Sequence, residues 1–465
     1  MSQPIARILA EEAIAWNYDS LGKDVAHQAK RHILDTLACA IGAYDADPCL
    51  ACRDVAKELN PASQATLLGE NTKVSVSSAI IANETMIRYL DFNDVLYFPK
   101  SPGKIGGAHP SDALAAVFAL GEWLGASGRD VIAATVAAYQ VIGRIVDGLA
   151  EGLTPMGFHH GTVMPYGGAV IAGRLLNLNA EQITHAMGIG GSAAVGLAVN
   201  DAEGEEYNNT KNLADGLMVE RGVLGAFLAR RGFTGPERII EGNKGFAHSL
   251  LRGVDNFRLK PPPNEPYIMQ ARTKFYPTES TNQGHLSATS ELVQAHDLQP
   301  EDIDGIVVRT NKRAIEHNGD PAKKYPNNKE TADHSAYFMT ALSIVTRGRV
   351  TPFSFTEAAY GDPVIRMLTD KVVLQHLPEY DPIPPAAEVE IRMHSGKVLK
   401  RRVDHPKGNT NNRMSDDDLR QKFIDCANGR FDDAAIDRVV DICFSLEKQT
   451  SIDELMQSLA FAEPR

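Results

Sequence analysis

Cysteine is scarce in this chain: five among 465 residues, an odd number spread from Cys39 to Cys443. A small secreted domain stapled by disulfides is therefore excluded. Cys49 and Cys52 form one CxxC, but no second pair completes a zinc or cluster site. Positive charge is also in short supply. Lys and Arg total 47 against 59 Asp and Glu, a net charge of −12, so the surface repels a phosphate backbone and no nucleic-acid partner is expected. Long hydrophobic runs are missing. The stretch from Val131 to Gly143 is too short for a membrane span and contains Gln140, and no membrane partner is expected. The first residues, MSQPIARILAEEAIAW, place acidic side chains where a signal peptide needs an apolar core, which points to a cytoplasmic protein. The phosphate-binding GxxxxGK[ST], the HExxH of zinc proteases and the GxSxG nucleophile elbow are all absent, as are internal repeats and low-complexity tracts.

What remains is ordinary globular composition, 43% hydrophobic and 23% charged, in a chain long enough for two or three domains. The first 250 residues carry helical periodicity. Val25, Ala29, Ile33, Leu37 and Ile41 line one helix face, Ser127 and Asp130 form a capping box, and Asn179 with Gln182 opens a further helix. The small residues of Ala113–Ala126 and Val163–Gly173 suit closely packed helices. Gly188-Ile-Gly-Gly-Ser-Ala193 matches a loose dinucleotide pattern, but it follows a helix where that fingerprint requires a strand, so helix packing is the better reading. Character changes at LKPPPNEP (Leu259–Pro266), where three prolines end any helix. Strand-like runs follow at Gly305–Thr310, Lys371–His376 and Val389–Met393, the last leading into a hairpin at Ser395-Gly396. Helical pattern returns from Ser415-x-x-Asp418. The expected fold is mainly α with a smaller α+β lid domain: a discontinuous all-helical domain, 1–265 and 404–465, with the lid inserted at 266–403.

Several segments gather groups that could carry chemistry. Asp91-Phe-Asn-Asp94 follows an apolar helix, and His109-Pro-Ser-Asp112 places a histidine at a helix N-terminus, where free N–H groups and the dipole favour an anion. His159 and His160 sit in GFHHGT. As sequence neighbours they point apart on a helix, which argues against a shared metal, and none is expected. Lys211 stands among polar residues in NNTKNLADG, where a lysine is ordinarily solvated. Lys274-Phe-Tyr-Pro-Thr-Glu279 lies just past the boundary, where a strap between domains would line a cleft. Glu330-Thr-Ala-Asp333-His334-Ser-Ala-Tyr337 packs four titratable groups into eight residues.

In this order, DFND, AHPSD, GFHHGT, TK-x-L-x-x-G with ERGVLGAFLARRGFTGP, the K-x-Y-P-x-E strap and ETADHS resemble the MmgE/PrpD family over nearly the whole chain. That family contains 2-methylcitrate dehydratases, cis-aconitate decarboxylases and iminodisuccinate epimerases. The resemblance implies a helical domain with a lid and a homodimer acting on a small di- or tricarboxylate. It also implies residue roles: His109, Asp91, Lys211 and Tyr337 catalytic, with His159, His160, Lys274 and Glu279 binding substrate. Departures are visible too. Val95 stands where many members have a threonine and Ala214 where they have a histidine, while Lys100 and Lys104 extend the 96–107 stretch. Glu279 replaces a histidine that decarboxylases carry, as in the dehydratase branch.

Dehydrating a hydroxy-tricarboxylate means taking a proton alpha to a carboxylate and expelling hydroxide. Cationic or N–H donors must meet the developing charge, and a positioned acid must meet the leaving group. Because the cysteines lack cluster spacing, the acid would be a side chain and no cofactor is expected. The expectation is a metal-independent hydro-lyase of the 2-methylcitrate dehydratase type. An epimerase or decarboxylase of a related polycarboxylate, or a non-catalytic member, stays open.

Overall fold

The computed structural model describes residues 2–461 except 101–104, 194, 203, 206 and 383–384. Lys104 lies outside the described residues. Helices dominate the first part: α1 (Ile5–Ala15), α2 (Lys23–Gly42), α3 (Asp47–Leu59), α4 (Val76–Tyr89), α5 (Leu114–Leu124), α6 (Gly128–Gly148), α7 (Met164–Leu175), α8 (Ala180–Ala193), α9 (Thr210–Arg230), α10 (Phe246–Leu250) and α11 (Tyr267–Gln270). Helices α12 (Gln283–His296), α13 (Lys312–His317), α14 (Lys329–Ala332), α15 (Ala336–Val345), α16 (Glu357–Gly361) and α17 (Pro363–Lys371) follow, and α18 (Asp416–Ala427), α19 (Asp433–Phe444) and α20 (Asp453–Ser458) close the chain.

Local chemistry sets these boundaries. Ser127 and Asp130 cap α6 reciprocally, and Ser415 and Asp418 do the same for α18. Asn179 and Gln182 exchange backbone and side-chain hydrogen bonds at the start of α8. Helices α7, α8 and α9 approach backbone to backbone. A Cβ on Gly222 would lie 2.0 Å from the carbonyl oxygen of Pro165, and one on Gly188 would lie 2.6 Å from that of Pro236. The glycines of the 188–193 run therefore serve packing. Helix α6 is long and apolar enough to cross a membrane, but 94% of its apolar window is buried inside the fold, as a core helix is.

The helical part is not wholly helical. Strands β1 (Pro61–Thr66) and β2 (Lys73–Val74) pair antiparallel, as do β3 (Leu96–Pro99) and β4 (Ile105–Ala108). These strands are too short for an alternating pattern to announce them. The main sheet has order β6-β5-β7-β8, with β5 (Ile303–Thr310), β6 (Val372–His376), β7 (Ala387–Met393) and β8 (Val398–Val403). Strand β5 pairs parallel with β6 and antiparallel with β7, and β7–β8 is the hairpin, turned at Gly396 with φ +83°.

Two hydrophobic cores result. One joins α1–α9 to Tyr267, Ile268 and Ala271 and to Leu419, Phe423, Val439 and Leu455 of the last helices. The other runs from Tyr276 to Val403 through α12, α15 and the main sheet. The PPP segment is irregular, and the chain changes core between Ala271 and Tyr276, at the strap that carries Lys274.

Candidate active site

Asp91 follows the C-cap of α4 and adopts φ 46°, the left-handed region that an aspartate tolerates better than most residues. This turn aims both its carbonyl and its carboxylate at one ammonium. Lys274 Nζ donates to Asp91 O at 2.8 Å and also bonds Oδ1. Lys211 Nζ donates to Oδ2 at 3.0 Å, Arg88 Nη1 lies 3.3 Å from Oδ1, and His334 Nε2 lies 3.3 Å from Oδ2. Burial alone would raise the Asp91 carboxyl, but Lys211, Lys274, Arg88 and His334 overcome it and hold the group well below the usual carboxylate range. Two backbone hydrogen bonds between Val95 and Arg272 fasten this loop to the strap.

His109 follows β4 and precedes a 3₁₀ turn, Pro110–Ala113, that leads into α5. Its Nδ1 lies 2.5 Å from the carbonyl oxygen of Asp94. A carbonyl can only accept, so Nδ1 carries the proton and Nε2 keeps its lone pair. Burial, with Arg88, Lys274 and His160 nearby, holds His109 well below the ordinary imidazole range, hence neutral.

His159 and His160 do not point apart. His159 is extended at φ −65°, ψ 146° as the cap of the turn His160–Val163, so both rings swing to one side with centroids 3.9 Å apart. They converge on Asp215, with His160 Nε2 3.2 Å from Oδ2 and His159 Nδ1 3.6 Å from Oδ1. The His160 ring lies 5.0 Å from that of His109. Asp215 sits one turn after Lys211 on α9, and Arg88 Nε, 3.8 Å from Asp215, links the two carboxylate centres. His160 and His159 hold Asp215 well below its usual value against the opposing effect of burial. Glu84 and Asp112, beside it, are pushed well above theirs by burial and by Asp215.

A cleft partly open to solvent is lined by Arg88, Asp91, Val95, Tyr97, His109 and His160 from the helical side. Lys274, Glu279, Ser280, Arg313, His317 and His334 line it from beyond the strap. That mix of cationic, imidazole and hydroxyl groups suits a small anionic ligand. Of the residues expected from sequence, Asp91, His109, His160, Lys274 and Glu279 reach this lining. His159 is buried directly behind His160. Lys211 is not solvated: it is fully buried on the second residue of α9, sealed beneath Asp91, and Ala214 one turn on is buried too. Tyr337 stands outside the lining and donates to Gly319 O at 3.0 Å. The tyrosine that does face the cavity is Tyr97 on β3, 3.1 Å from Glu279 Oε1. Glu279 is engaged by Thr281 N at 2.6 Å and Asn318 Nδ2 at 2.7 Å. Burial opposes ionisation, yet Arg313, His334 and these donors bring Glu279 down to about 2, so it is an anion that holds donors in place.

Arg88, Tyr97, Asp215, Arg313 and His317 escaped the sequence reading. Two had a signal: Arg88 lies three residues before Asp91, and Asp215 lies four after Lys211 on the same helix face. Among the described residues, three clusters bring metal-type donor atoms within 4.8 Å: His159/His160/Asp215, Asp91/Asp333/His334 and Glu84/Asp112/Asp215. Arg88 reaches Asp91 and Asp215, Lys211 and Lys274 hold Asp91, and Lys329 holds Asp333 at 2.6 Å. Side-chain cations thus pair with Asp91 and Asp333 and, at longer range, with Asp215.

The description "MmgE/PrpD N-terminal domain" matches residues 7–258, and "MmgE/PrpD C-terminal domain" matches 276–446. A cis-aconitate decarboxylase-like protein, oryM, of Aspergillus oryzae is 23% identical over 460 residues, covering 93% of this chain and 92% of the relative. The cis-aconitate decarboxylase of Aspergillus terreus is 24% identical over 476 residues, covering 95% and 93%. The 2-methylcitrate dehydratase of Salmonella typhi is 25% identical over 431 residues, covering 85% and 84%. Decarboxylase and dehydratase relatives thus stand at nearly equal distance.

Proposed function

The chain belongs to the MmgE/PrpD family, and from that premise we propose that it is a metal-independent hydro-lyase dehydrating a hydroxy-tricarboxylate such as 2-methylcitrate. The observation that carries this reading is His109: a neutral imidazole with Nδ1 anchored on a carbonyl, Nε2 left as acceptor, and cations around it. Such a group is a base for a proton alpha to a carboxylate. The carboxylate that gains charge as the proton leaves would lie against Arg88, Lys274 and Arg313. Each donor lost there typically costs about 3–4 kcal/mol of barrier.

Asp91 fits an indirect role, since the carbonyl of Asp94 orients His109. Asp91 holds Lys211, Lys274 and Arg88 together, so three like charges share a buried space. Glu279 supports the dehydratase branch for a physical reason. A fixed anion on the lid side repels a carboxylate and leaves the Tyr97 hydroxyl near the uncharged part of the substrate. The homodimer implied by the resemblance is part of this proposal, and sedimentation checks it.

His109→Gln tests the assignment. The base is expected to contribute about 10²–10⁴-fold, so turnover should fall by at least 10²-fold with the melting temperature unchanged. Turnover above a tenth of wild type in a folded variant would remove His109 from the chemistry.

A further inference from the structure

His109 and His160 stand side by side in the cavity lining, ring centroids 5.0 Å apart, but their partners differ in kind. His109 Nδ1 meets a backbone carbonyl, which carries no charge. His160 Nε2 lies 3.2 Å from Asp215 Oδ2, an ion-pair distance without hydrogen-bond geometry, and is sealed within the protein. His160 is 15% exposed and lines the cavity, so Nδ1 is the nitrogen left to face a ligand. A carboxylate partner stabilises an imidazolium where a carbonyl does so far less. Unlike partners on two titratable groups are how acid and base roles separate.

We propose that His160 is the general acid of the elimination, that His109 is its base, and that Asp215 is the positioning residue that lets His160 hold its proton. This rests on the hydro-lyase reading above. His109 Nε2 takes the alpha proton, the electron pair of that C–H bond forms the double bond, and the C–O bond breaks. The proton on His160 Nδ1 goes to the departing hydroxyl, which leaves as water. His160 is then neutral with its remaining proton on Nε2, beside Asp215, and the site resets when the proton on His109 passes to His160, whose ring centroid is 5.0 Å away.

Several features around the dyad fit this role. Gly161 follows His160, and a Cβ there would sit 1.7 Å from Asp215 Oδ1, so only glycine lets the carboxylate reach both histidines. Glu84 and Asp112 crowd Asp215 from α4 and from the turn before α5, and burial and the neighbouring carboxylates push both well above the usual carboxyl range, whereas Asp215 is held well below it. Burial first, then His159 and Arg88, hold His160 below the ordinary imidazole range, with Asp215 opposing them. An incoming polycarboxylate adds negative charge beside the ring and tips it towards the imidazolium.

Asp215→Asn is the test, with 2-methylcitrate and citrate in deuterated buffer and with an analogue carrying fluorine in place of the leaving hydroxyl. An acid is needed far less to expel fluoride than hydroxide. Loss of water should fall about 10²-fold, while deuterium exchange into unreacted substrate and fluoride release stay within about threefold of wild type. His160→Gln, at a partly exposed position, should show the same split if Asp215→Asn fails to fold. Variants that lose exchange and fluoride release as fully as dehydration overturn the acid assignment alone. So do variants that dehydrate normally. A wild type that exchanges the alpha proton but never releases water, or that does neither, overturns the hydro-lyase reading and this inference with it.

Discussion

At the scale of single residues, the site works by keeping opposite demands apart. Asp91 is an anion because four cationic or basic groups surround it, while His109, a few ångströms of protein away, is neutral because burial and the same cations disfavour its charge. A group whose folded pKa is depressed stays deprotonated to lower pH than in the unfolded chain. His109 should therefore still be neutral at pH 6, below the ordinary histidine value near 6.5. Labelled-histidine NMR on wild type and His109→Gln assigns the resonance. A His109 signal titrating at 6.5 or above contradicts the picture.

At the scale of elements, α4 and α9 carry the machinery in register. Glu84 and Arg88 are one turn apart on α4, and Lys211 and Asp215 are one turn apart on α9. Glu84 is pushed well above the usual carboxyl range by burial first, then by Asp112 and Asp215. With its folded pKa raised, whatever stability it lends is complete below the unfolded carboxyl pKa and is lost as pH rises towards the folded value. Glu84→Gln should therefore leave the melting temperature unchanged near pH 4.5 and raise it at pH 8. A variant less stable at pH 8 would show that Glu84 is ionised in place.

Much of this was legible in the sequence. Caps at Ser127, Asn179 and Ser415 announced their helices, and DFND, HPS and the strap were assembled at one cavity as their order implied. What escaped reading depended on backbone conformation or distance. The extended conformation of His159 decided that neighbouring histidines converge. Lys211 gave no sign of burial because its partner is 120 residues away. Tyr97 lies on a strand too short to show a period, and Tyr337 was drawn to the Gly319 carbonyl by local geometry.

At the scale of the whole molecule, the last helices reach back into the site. Lys422 on α18 is buried and donates to Asp35 Oδ1 at 2.7 Å, to Phe92 O at 2.7 Å and to Lys274 O at 3.1 Å. One ammonium thus ties the Asp91 loop and the strap to α2. Lys422→Met strands a buried carboxylate and should cost about 3–5 kcal/mol in urea unfolding. Adding Asp35→Asn should recover part of that stability without recovering turnover, because the two carbonyls remain untethered. Full recovery of turnover in the double variant would make Lys422 a purely structural residue.

The most direct measurement of the central claim follows EDTA-treated protein with 2-methylcitrate, citrate and cis-aconitate, reading new unsaturation beside evolved CO₂. The account predicts unsaturation from a hydroxy-tricarboxylate, undiminished by the chelator and without CO₂. Release of CO₂ from cis-aconitate, or activity that returns only with added metal, would contradict it.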